Sequence, residues 1–568
     1  MPAGHRPRIA VFSGPTATVL NSEPLVTSNN ARQKYGLPLR THPDGAPLGQ
    51  DIVRMQRLAA PVTVYIEAYS AHPMEADAAG LYAEPDGFIT SDGTFVVERE
   101  NADDVPVYEA TIGPEDGLFH LPYMARTRDG AAWDSEGIAP LSTGAETRQT
   151  FYPDASRLFE EIDRFGLEVT GGNNILSSKG EYDFYRPAPS AGYLNGLAAG
   201  SRTDVGEGDI PAEVRGEDFF HYSPPHLAHG PAMPTLAKLT NTVQKALASG
   251  AYEGAIWLEG SPVVEETAYW LNLLIDTTVP ISCNASQRPH GALGNDGDRN
   301  IVDSVDYIRS RIWAASDGTD AVGAVLLQEE QIFTARDAQK ADARPGGYVA
   351  TGGHGGIVGT IGAPGDPMLT YWPAKAHTHT SEVNISRLPT LNTGVQRVKG
   401  ALTRVEVAVL DSRGELLAEA IPKVTIVKYS RYAMDDFSDA AEQEVEILAR
   451  IEKNLASSPL AGFVLEGNAP FGRGDESQMA ALRRAVAHGM PVVRTARGNA
   501  EGMVAHVPGE VFVAGSTLTS TKARLLLMAC LLRFGSLPPA MDPNNPTAEE
   551  WDAIRLRIAD YQAVFDTH

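Results

Sequence analysis

The 568-residue sequence predicts an α/β fold made of two doubly wound parallel-sheet domains, with a β-rich insertion in the first. Strand-like and helix-like segments alternate from about residue 231 to 380 and again from about 422 to 535. Such alternation is typical of a parallel sheet covered by helices. The insertion is predicted from residues 41–215, which are rich in Gly, Pro and Asp and contain short β-like runs such as VTVYI at 62–66 and GTFVV at 93–97.

The elements of the first domain follow in order. An apolar run at residues 9–12 predicts the first strand, and a Gly-Pro turn ends it. Residues 234–249 predict a helix and residues 254–258 a strand. Four apolar residues then recur at helical spacing, which predicts one buried helix face: Val264, Ala268, Leu271 and Ile275. Further strands are expected at 279–283 and 321–327.

The sequence also predicts the domain boundaries. We expect an N-terminal domain over residues 1–380, which includes the insertion, and a C-terminal domain over residues 422–568. Residues 381–421 should form a linker that carries an added hairpin. Its strand is expected at 403–410, with the turn at 412–414.

Composition excludes several classes of partner. The formal charge of −25 disfavours nucleic acid and anionic membranes, because phosphate binding needs clustered Lys and Arg. The two cysteines, Cys283 and Cys530, lie in apolar runs, which fits a reducing cytoplasm better than a disulfide scaffold. No signal peptide is readable, and no stretch approaches the roughly 20 apolar residues of a membrane span. We therefore expect a cytoplasmic protein whose partner is a small molecule.

Three separated stretches carry the candidate chemistry, and each lies where a strand should end. They read SGPTAT at residues 13–18, EGSPVVEETAY at 259–269 and ARDAQK at 335–340. Together they supply two hydroxyls and an amine, the groups needed for a hydroxyl nucleophile activated by a base. Loops at the carboxyl ends of parallel strands converge on one crevice. We therefore expect Thr16, Ser261 and Lys340, the last on a loop, to meet there.

The order of these stretches and the residues within them resemble motifs of the bacterial-type L-asparaginase/glutaminase family. The corresponding family stretches read TGGTIA, HGTDTMEETAY and GRDVTK. The resemblance covers about residues 8–36, 231–380 and 422–535. It implies an amide hydrolase that needs no metal or cofactor and that assembles as a homodimer or homotetramer.

The resemblance assigns a role to each of the three residues. Thr16 matches the nucleophilic threonine that forms an acyl-enzyme ester, Lys340 the lysine that helps remove a proton, and Ser261 the second catalytic threonine. General-base help of this kind is typically worth ~10² to 10⁴ in rate. Thr18 is an alternative nucleophile. Each residue also has a structural alternative: Thr16 as a turn residue, Ser261 as a helix N-cap followed by Pro262, and Lys340 as a solvated charge.

Several positions depart from the family pattern. Pro262 stands where the family has an aspartate that holds the substrate's α-ammonium group, so we expect a substrate without a free α-amine or one bound by other means. Glu259 replaces the usual histidine and is either a carboxylate of the site or an exposed charge at a strand end. The substrate contacts implied by the resemblance are Ser223, with Ser70 as a rival, and Tyr35.

Three other segments of the sequence bear on an oligomer, a phosphate site or a metal site. Asn468 lies in a loop that, in the family, completes the site of a neighbouring subunit, and this supports an oligomer. The glycine-rich run at 346–359 lacks the GK[ST] sequence of a phosphate loop. His354, His377 and His379 lack a pattern of further ligands, so no metal site is expected.

Two functions remain open from the sequence. The favoured one is hydrolysis of a C–N bond in a small amide, a lactam, a cyclic imide or hydantoin-like ring, or a thio-analogue. Thr16 would attack, Lys340 and Ser261 would relay the proton, and backbone N–H groups after the first strand would hold the oxyanion. The alternative is a non-catalytic relative that binds a small metabolite or serves as an assembly subunit, and Pro262 supports it.

Overall fold

The chain forms two compact units in a computed structural model. The core unit contains Met1–Ile9, Ala232–Ala285 and Asn300–His568, and the insertion unit contains Ala10–Pro231 and Ser286–Arg299. The structure describes residues 5–17, 44–46, 62–66, 85–112, 125–126, 155, 158–159, 162, 175–176, 178–185, 233–288, 294–342, 346–351, 356–362, 366–429, 440–497 and 503–568. The predicted boundaries at residues 380 and 421 fall inside the core unit, and they stay a prediction.

Most of the regular structure in the described part of the insertion unit is β-strand. They are β1 (Arg8–Ser13), which begins in the core unit, β2 (Val62–Ile66), β3 (Gly87–Ile89), β4 (Phe95–Val96), β5 (Val105–Ile112), β6 (Ala125–Arg126) and β7 (Glu181–Tyr185). Five of them form an antiparallel sheet in the order β4-β3-β5-β2-β6. Tyr65, Ile89 and Val107 form its buried centre, with the Phe95 ring stacked on Tyr65 at 4.4 Å. This sheet is the β-rich insertion that the composition predicted.

One strand of this sheet is shorter than expected. The run at 93–97 keeps only Phe95–Val96 as strand. Gly93 N donates to Thr90 O at 2.8 Å, and Thr90 N donates to Thr94 O at 2.9 Å. These bonds close a turn over residues 90–94, so the first two residues of the predicted strand belong to the turn.

The first half of the core unit alternates helices and strands. Its elements are α1 (Thr235–Ala248), β8 (Gly254–Leu258), α2 (Val263–Leu274), β9 (Ile281–Asn284), α3 (Gly297–Ser310, which begins in the insertion unit), β10 (Val325–Gln328), β11 (Gln331–Thr334), β12 (Ala338–Lys340), β13 (Tyr348–Ala350), β14 (Ile357–Ile361) and β15 (Pro367–Leu369). In the core unit, six strands of one sheet follow the order β15-β14-β11-β10-β9-β8. The predicted α/β fold class is confirmed.

That sheet is mixed rather than wholly parallel. β8, β9 and β10 run parallel, whereas β11, β14 and β15 pair antiparallel with their neighbours. The reversal occurs at Glu329 and Glu330, whose φ angles of 48° and 58° make a tight two-residue turn. Non-glycine residues rarely adopt this conformation, so the sequence did not predict the turn.

Two strands begin later than expected, for local reasons. β9 begins at Ile281 because Pro280 has no N–H to donate to a ladder. β10 begins at Val325 because the Asp320 carboxylate accepts the N–H groups of Val322 and Gly323 at 2.9 and 3.0 Å. These bonds hold residues 320–323 in a turn.

The second half of the core unit contains a wholly parallel sheet. Its elements are β16 (Leu391–Val398), β17 (Ala401–Ala408), β18 (Val424–Lys428), α4 (Val445–Ser457), β19 (Gly462–Gly467), α5 (Glu476–Ala487), β20 (Val492–Ala496), β21 (Val513–Ala514), α6 (Ser520–Phe534) and α7 (Ala548–Thr567). Short 3₁₀ helices lie at Thr378–Thr380, Ile385–Arg387, Ala418–Ala420 and Ala441–Gln443. The strands β18-β19-β20-β21 are all parallel. No helix in the described part of the chain is long and apolar enough to cross a membrane.

The linker hairpin differs in pairing from the prediction. The strand expected at 403–410 is β17, but it pairs with the preceding β16, with Val398 opposite Ala401. The turn lies at Lys399 and Gly400, whose φ angles are 51° and 85°. A turn is also present at the expected residues 412–414, where Gly414 N donates to Asp411 O at 3.0 Å and an isolated bridge joins Leu410 to Leu416.

Helix α2 is the central helix of the candidate site. Its residues Tyr269, Trp270 and Leu271 are all fully buried, as expected for a helix that is covered on every side. It packs against β9, β10, β12 and α6. Cys283 on β9 and Cys530 on α6 are free thiols and are also fully buried.

Candidate active site

Ser261 lies in the turn that joins β8 to α2. Glu259 N donates to Asn284 O at 3.0 Å, and Val264 N donates to Gly260 O at 3.0 Å, which starts the helix. Pro262 occupies the N-cap position, and the cap makes no side-chain hydrogen bond. The interpretation of Ser261 as the N-cap is therefore wrong, and its hydroxyl has another partner.

That partner is Tyr348. The Tyr348 hydroxyl donates to Ser261 Oγ at 2.8 Å, and the Tyr348 side chain is only 6% exposed. Tyr348 lies directly opposite Lys340 in the β12–β13 pair, and Lys340 Nζ is 5.5 Å from the centre of the Tyr348 ring. An ammonium group is attracted to the face of an aromatic ring at this distance. Tyr348 therefore contacts both candidate catalytic residues.

Lys340 lies on strand β12 rather than on the loop that we expected. Residues 338–340 pair with residues 348–350, which extends the backbone. The Lys340 backbone N–H donates to Glu265 Oε2 of α2. Burial raises the pKa of the Glu265 carboxyl, and the positive charge of Lys522 opposes that rise. The carboxylate thus anchors the hairpin of β12 and β13 to α2.

A second lysine, Lys522 of α6, reinforces the same region. Its Nζ donates to the backbone carbonyls of Glu265 and of Ala335, the latter at 2.6 Å, and lies 5.3 Å from the centre of the Tyr269 ring. Complete burial lowers the pKa of Lys522 to about 8. Lys522 therefore ties α6 to α2 and to the segment that leads into β12.

Glu259 is buried, so the interpretation as an exposed charge at a strand end is wrong. The Glu259 side chain is 4% exposed, and Oε2 accepts a hydrogen bond from Trp257 Nε1 at 2.8 Å. A buried carboxylate needs such donors, because burial of a charge is otherwise costly. Its direct role in a reaction stays a prediction.

Asn468 closes a loop within the second parallel sheet. Its Oδ1 accepts the Arg473 N–H at 3.0 Å, and its backbone carbonyl accepts the Gly472 N–H at 2.7 Å. The side chain therefore fixes the shape of the loop after β19. A contact with substrate stays a prediction.

Thr16 belongs to the insertion unit. It is partly buried in a turn after β1, where Ala17 N donates to Gly14 O at 3.0 Å. Ser223 and Tyr35, and the alternatives Ser70 and Thr18, lie outside the described residues. Their assignment rests on the resemblance alone.

The segments weighed as phosphate or metal sites have other structures. The glycine-rich run contributes β13 and the start of β14. His354 lies outside the described residues, and the rings of His377 and His379 are 5.7 Å apart. Burial, with a smaller effect of His379, lowers the pKa of His377 to about 4. Among the described residues, no three His, Cys, Asp or Glu side chains cluster as a metal site.

Tyr348 and Lys522 were missed by the sequence analysis. Tyr348 lies within the glycine-rich run, where the alternation of a short strand, GYVA, was its only local signal. Lys522 lies in the first turn of the apolar helix α6, where a lysine normally indicates a solvated helix end. Both residues act over long separations in sequence, 87 residues from Tyr348 to Ser261 and 257 from Lys522 to Glu265.

Comparison with known proteins finds similarity to the asparaginases and glutaminase-asparaginases. Residues 214–357 match the family model "Asparaginase, N-terminal". The glutaminase-asparaginase of Acinetobacter glutaminasificans is 32% identical over 154 residues, which cover 27% of this chain and 44% of the relative. That of Pseudomonas aeruginosa is 29% identical over 224 residues, 38% of this chain and 54% of the relative. That of Pseudomonas fluorescens biotype A is 26% identical over 333 residues, 57% of this chain and 74% of the relative.

The chain is thus similar to the N-terminal domain of the asparaginases over residues 214–357, and to glutaminase-asparaginases over part of its length. It spans about half the length of the first two relatives. A solved structure, titled as a probable cytoplasmic L-asparaginase from Campylobacter jejuni, covers 60% of this chain and 82% of its own at 20% identity and a TM-score of 0.42. That structural likeness is too low to bear on function.

Proposed function

We propose that the protein hydrolyses a C–N amide bond in a small amide, a lactam, a cyclic imide or a hydantoin-like ring, including thio-analogues. The observation that carries the proposal is the cluster of Ser261, Tyr348 and Lys340. It brings together the Ser261 hydroxyl before helix α2 with the Tyr348 phenol and the Lys340 amine of the β12–β13 hairpin. A hydroxyl and an amine held together in this way suit proton transfer during attack on an amide.

The reaction would proceed through an ester intermediate. By the resemblance, the Thr16 hydroxyl attacks the amide carbon, and the C–N bond breaks as the nitrogen accepts a proton. Lys340 and Ser261 relay that proton, and water then hydrolyses the ester to release the acid. The names of the relatives, glutaminase-asparaginase, make asparagine and glutamine necessary controls. Pro262 is exposed and brings no carboxylate to hold an α-ammonium group, which supports a substrate without one.

Mass spectrometry of the intact protein tests this function. The protein is incubated with amides, lactams, cyclic imides, asparagine and glutamine, and any adduct is mapped by peptide digestion. We expect an acyl adduct on Thr16 that disappears in Thr16→Ala. An adduct on Ser261 instead would still support amide hydrolysis, but it would make Ser261 rather than Thr16 the nucleophile. Ligand binding with neither adduct nor turnover across the panel would favour the non-catalytic alternative.

Tyr348 should act as a positioning residue for this reaction. Its hydroxyl fixes the Ser261 hydroxyl, and its ring faces the Lys340 amine. Tyr348→Phe keeps the ring and removes one hydrogen bond, which is worth ~1 kcal/mol, so kcat should fall about fivefold to tenfold with KM nearly unchanged. Tyr348→Leu also removes the ring and should lower kcat further.

The pair of variants separates the two contacts by steady-state kinetics. A fall in kcat for Tyr348→Leu with none for Tyr348→Phe would show that the hydroxyl contact is dispensable. Equal kcat in both variants and the wild type would remove Tyr348 from the proposed site. Circular dichroism of each variant checks that the fold is retained.

The proposal includes a cytoplasmic homodimer or homotetramer. The two free, fully buried thiols, Cys283 and Cys530, support a reducing compartment. The loop of Asn468 supports an oligomer only through the family resemblance.

A further inference from the structure

A cavity of about 370 Å³ lies within the core unit. Its volume is in the range that holds a small ligand. Its lining comes from Asn272, residues 322 and 324, residues 334–337, Gly356, residues 371–377 and residues 516–517. Ser261, Tyr348 and Lys340 are not among its lining residues, so it differs from the candidate active site.

Arg336 is the buried cation of this cavity and is 6% exposed. Its Nη1 donates to Asp337 Oδ1 at 2.6 Å, and its Nε donates to His568 O at 2.9 Å. Among the described residues, Nη2 has no hydrogen-bond partner. A buried donor without an acceptor costs ~1 to 3 kcal/mol, so an acceptor atom of a ligand would stabilise this group.

A second cation, Lys375, lines the same cavity. Its Nζ donates to Asp566 O at 2.6 Å. Burial lowers the pKa of Lys375, and the charge of Arg336 lowers it further, against the opposing effects of Asp566 and Asp337. Arg336 and Lys375 therefore repel each other electrostatically. His377, also in the lining, is neutral near pH 7 because its pKa is lowered to about 4, mainly by burial.

Aromatic and apolar groups complete the lining. Tyr371 and Trp372 are 58% and 56% exposed, which is unusual for adjacent large aromatic residues and leaves their faces open to a planar ligand. Val322 and Ala324 are buried on the apolar part of the wall. The cavity thus combines two cations, one carboxylate from Asp337, and accessible aromatic surface.

We propose that this cavity binds a small aromatic carboxylate. The ligand's carboxylate would accept from Arg336 Nη2 and from Lys375, and its ring would pack on Trp372. Charge-assisted bonds to Arg are strong and directional, and the anion would relieve the repulsion between the two cations. The site stands independently of the amide hydrolysis proposed above.

Isothermal titration calorimetry with benzoate tests the site on the full chain. Lys375→Met and Trp372→Ala should each weaken benzoate binding about tenfold, which corresponds to ~1.4 kcal/mol. Both residues are partly or largely exposed, so these variants should fold. Lys423→Met and Phe471→Ala remove exposed residues of the same types outside the cavity and should leave the affinity unchanged.

Two further ligands separate charge from shape. Acetate supplies the anion without the ring, benzyl alcohol supplies the ring without the anion, and each should bind at least tenfold more weakly than benzoate. The proposal is overturned if benzoate does not bind, if both cavity variants bind it as the wild type does, or if either partial ligand matches it. Retained turnover on the hydrolase substrate in both variants would keep this result distinct from the proposed function.

Discussion

Replacing Lys340 with methionine should lower kcat/KM for the amide substrate by ~10² to 10⁴, the usual worth of general acid–base help. Methionine keeps an unbranched side chain against the Tyr348 ring but removes the amine. The backbone N–H of residue 340 would still donate to Glu265, so the β12–β13 hairpin should be retained. Steady-state kinetics on the substrate found by the adduct screen measures the effect.

Chemical rescue distinguishes a reacting amine from a structural one. Lys340→Ala leaves space at the hairpin, and added methylamine should restore part of its activity in a concentration-dependent way. The same amine should not raise the activity of Lys423→Met, in which an exposed lysine is replaced. Activity of Lys340→Met within threefold of the wild type would remove Lys340 from the mechanism.

The local sequence pattern predicted most of the core elements. Strand β8 has the bounds expected from residues 254–258, because glycine precedes its apolar run and a charged residue follows it. Helix α2 follows from the recurrence of apolar residues at helical spacing. The sequence pattern did not predict the elements that depend on unusual backbone angles. The turn at Glu329 and Glu330 reverses the chain and adds strand β11, which the sequence did not predict.

In the candidate site, too, some residues could be proposed from the sequence and others could not. Ser261 and Lys340 could be proposed as site residues from the sequence because each lies in a short motif next to an apolar run. Tyr348 was not found because its role depends on pairing with Lys340 across a hairpin. Lys522 was not predicted because its partners are backbone carbonyls of two distant segments. Every residue has a backbone carbonyl, so the sequence cannot indicate which ones a lysine will bind.

Lys522 should make the free energy of unfolding rise with pH above pH 8. Its pKa in the folded protein is about 8, lowered from the ordinary value of 10.5 by burial. Between these values the unfolded chain binds the proton and the folded protein does not, so stability increases with pH. From pH 8 to 9.5 this single group should add about 1.5 kcal/mol. Urea unfolding of the wild type and of Lys522→Met at several pH values measures the difference.

The difference between the two proteins isolates Lys522 from other titrating groups. Burial raises the pKa of Tyr269 and Cys283, and both groups lower stability at high pH, when the unfolded chain ionises first. They are present in both proteins, so their effects largely cancel. Lys423→Met, at an exposed lysine, should follow the wild-type curve. Parallel curves for the wild type and Lys522→Met would mean that the buried amine keeps its proton through pH 9.5, held by Glu265 more strongly than burial opposes it.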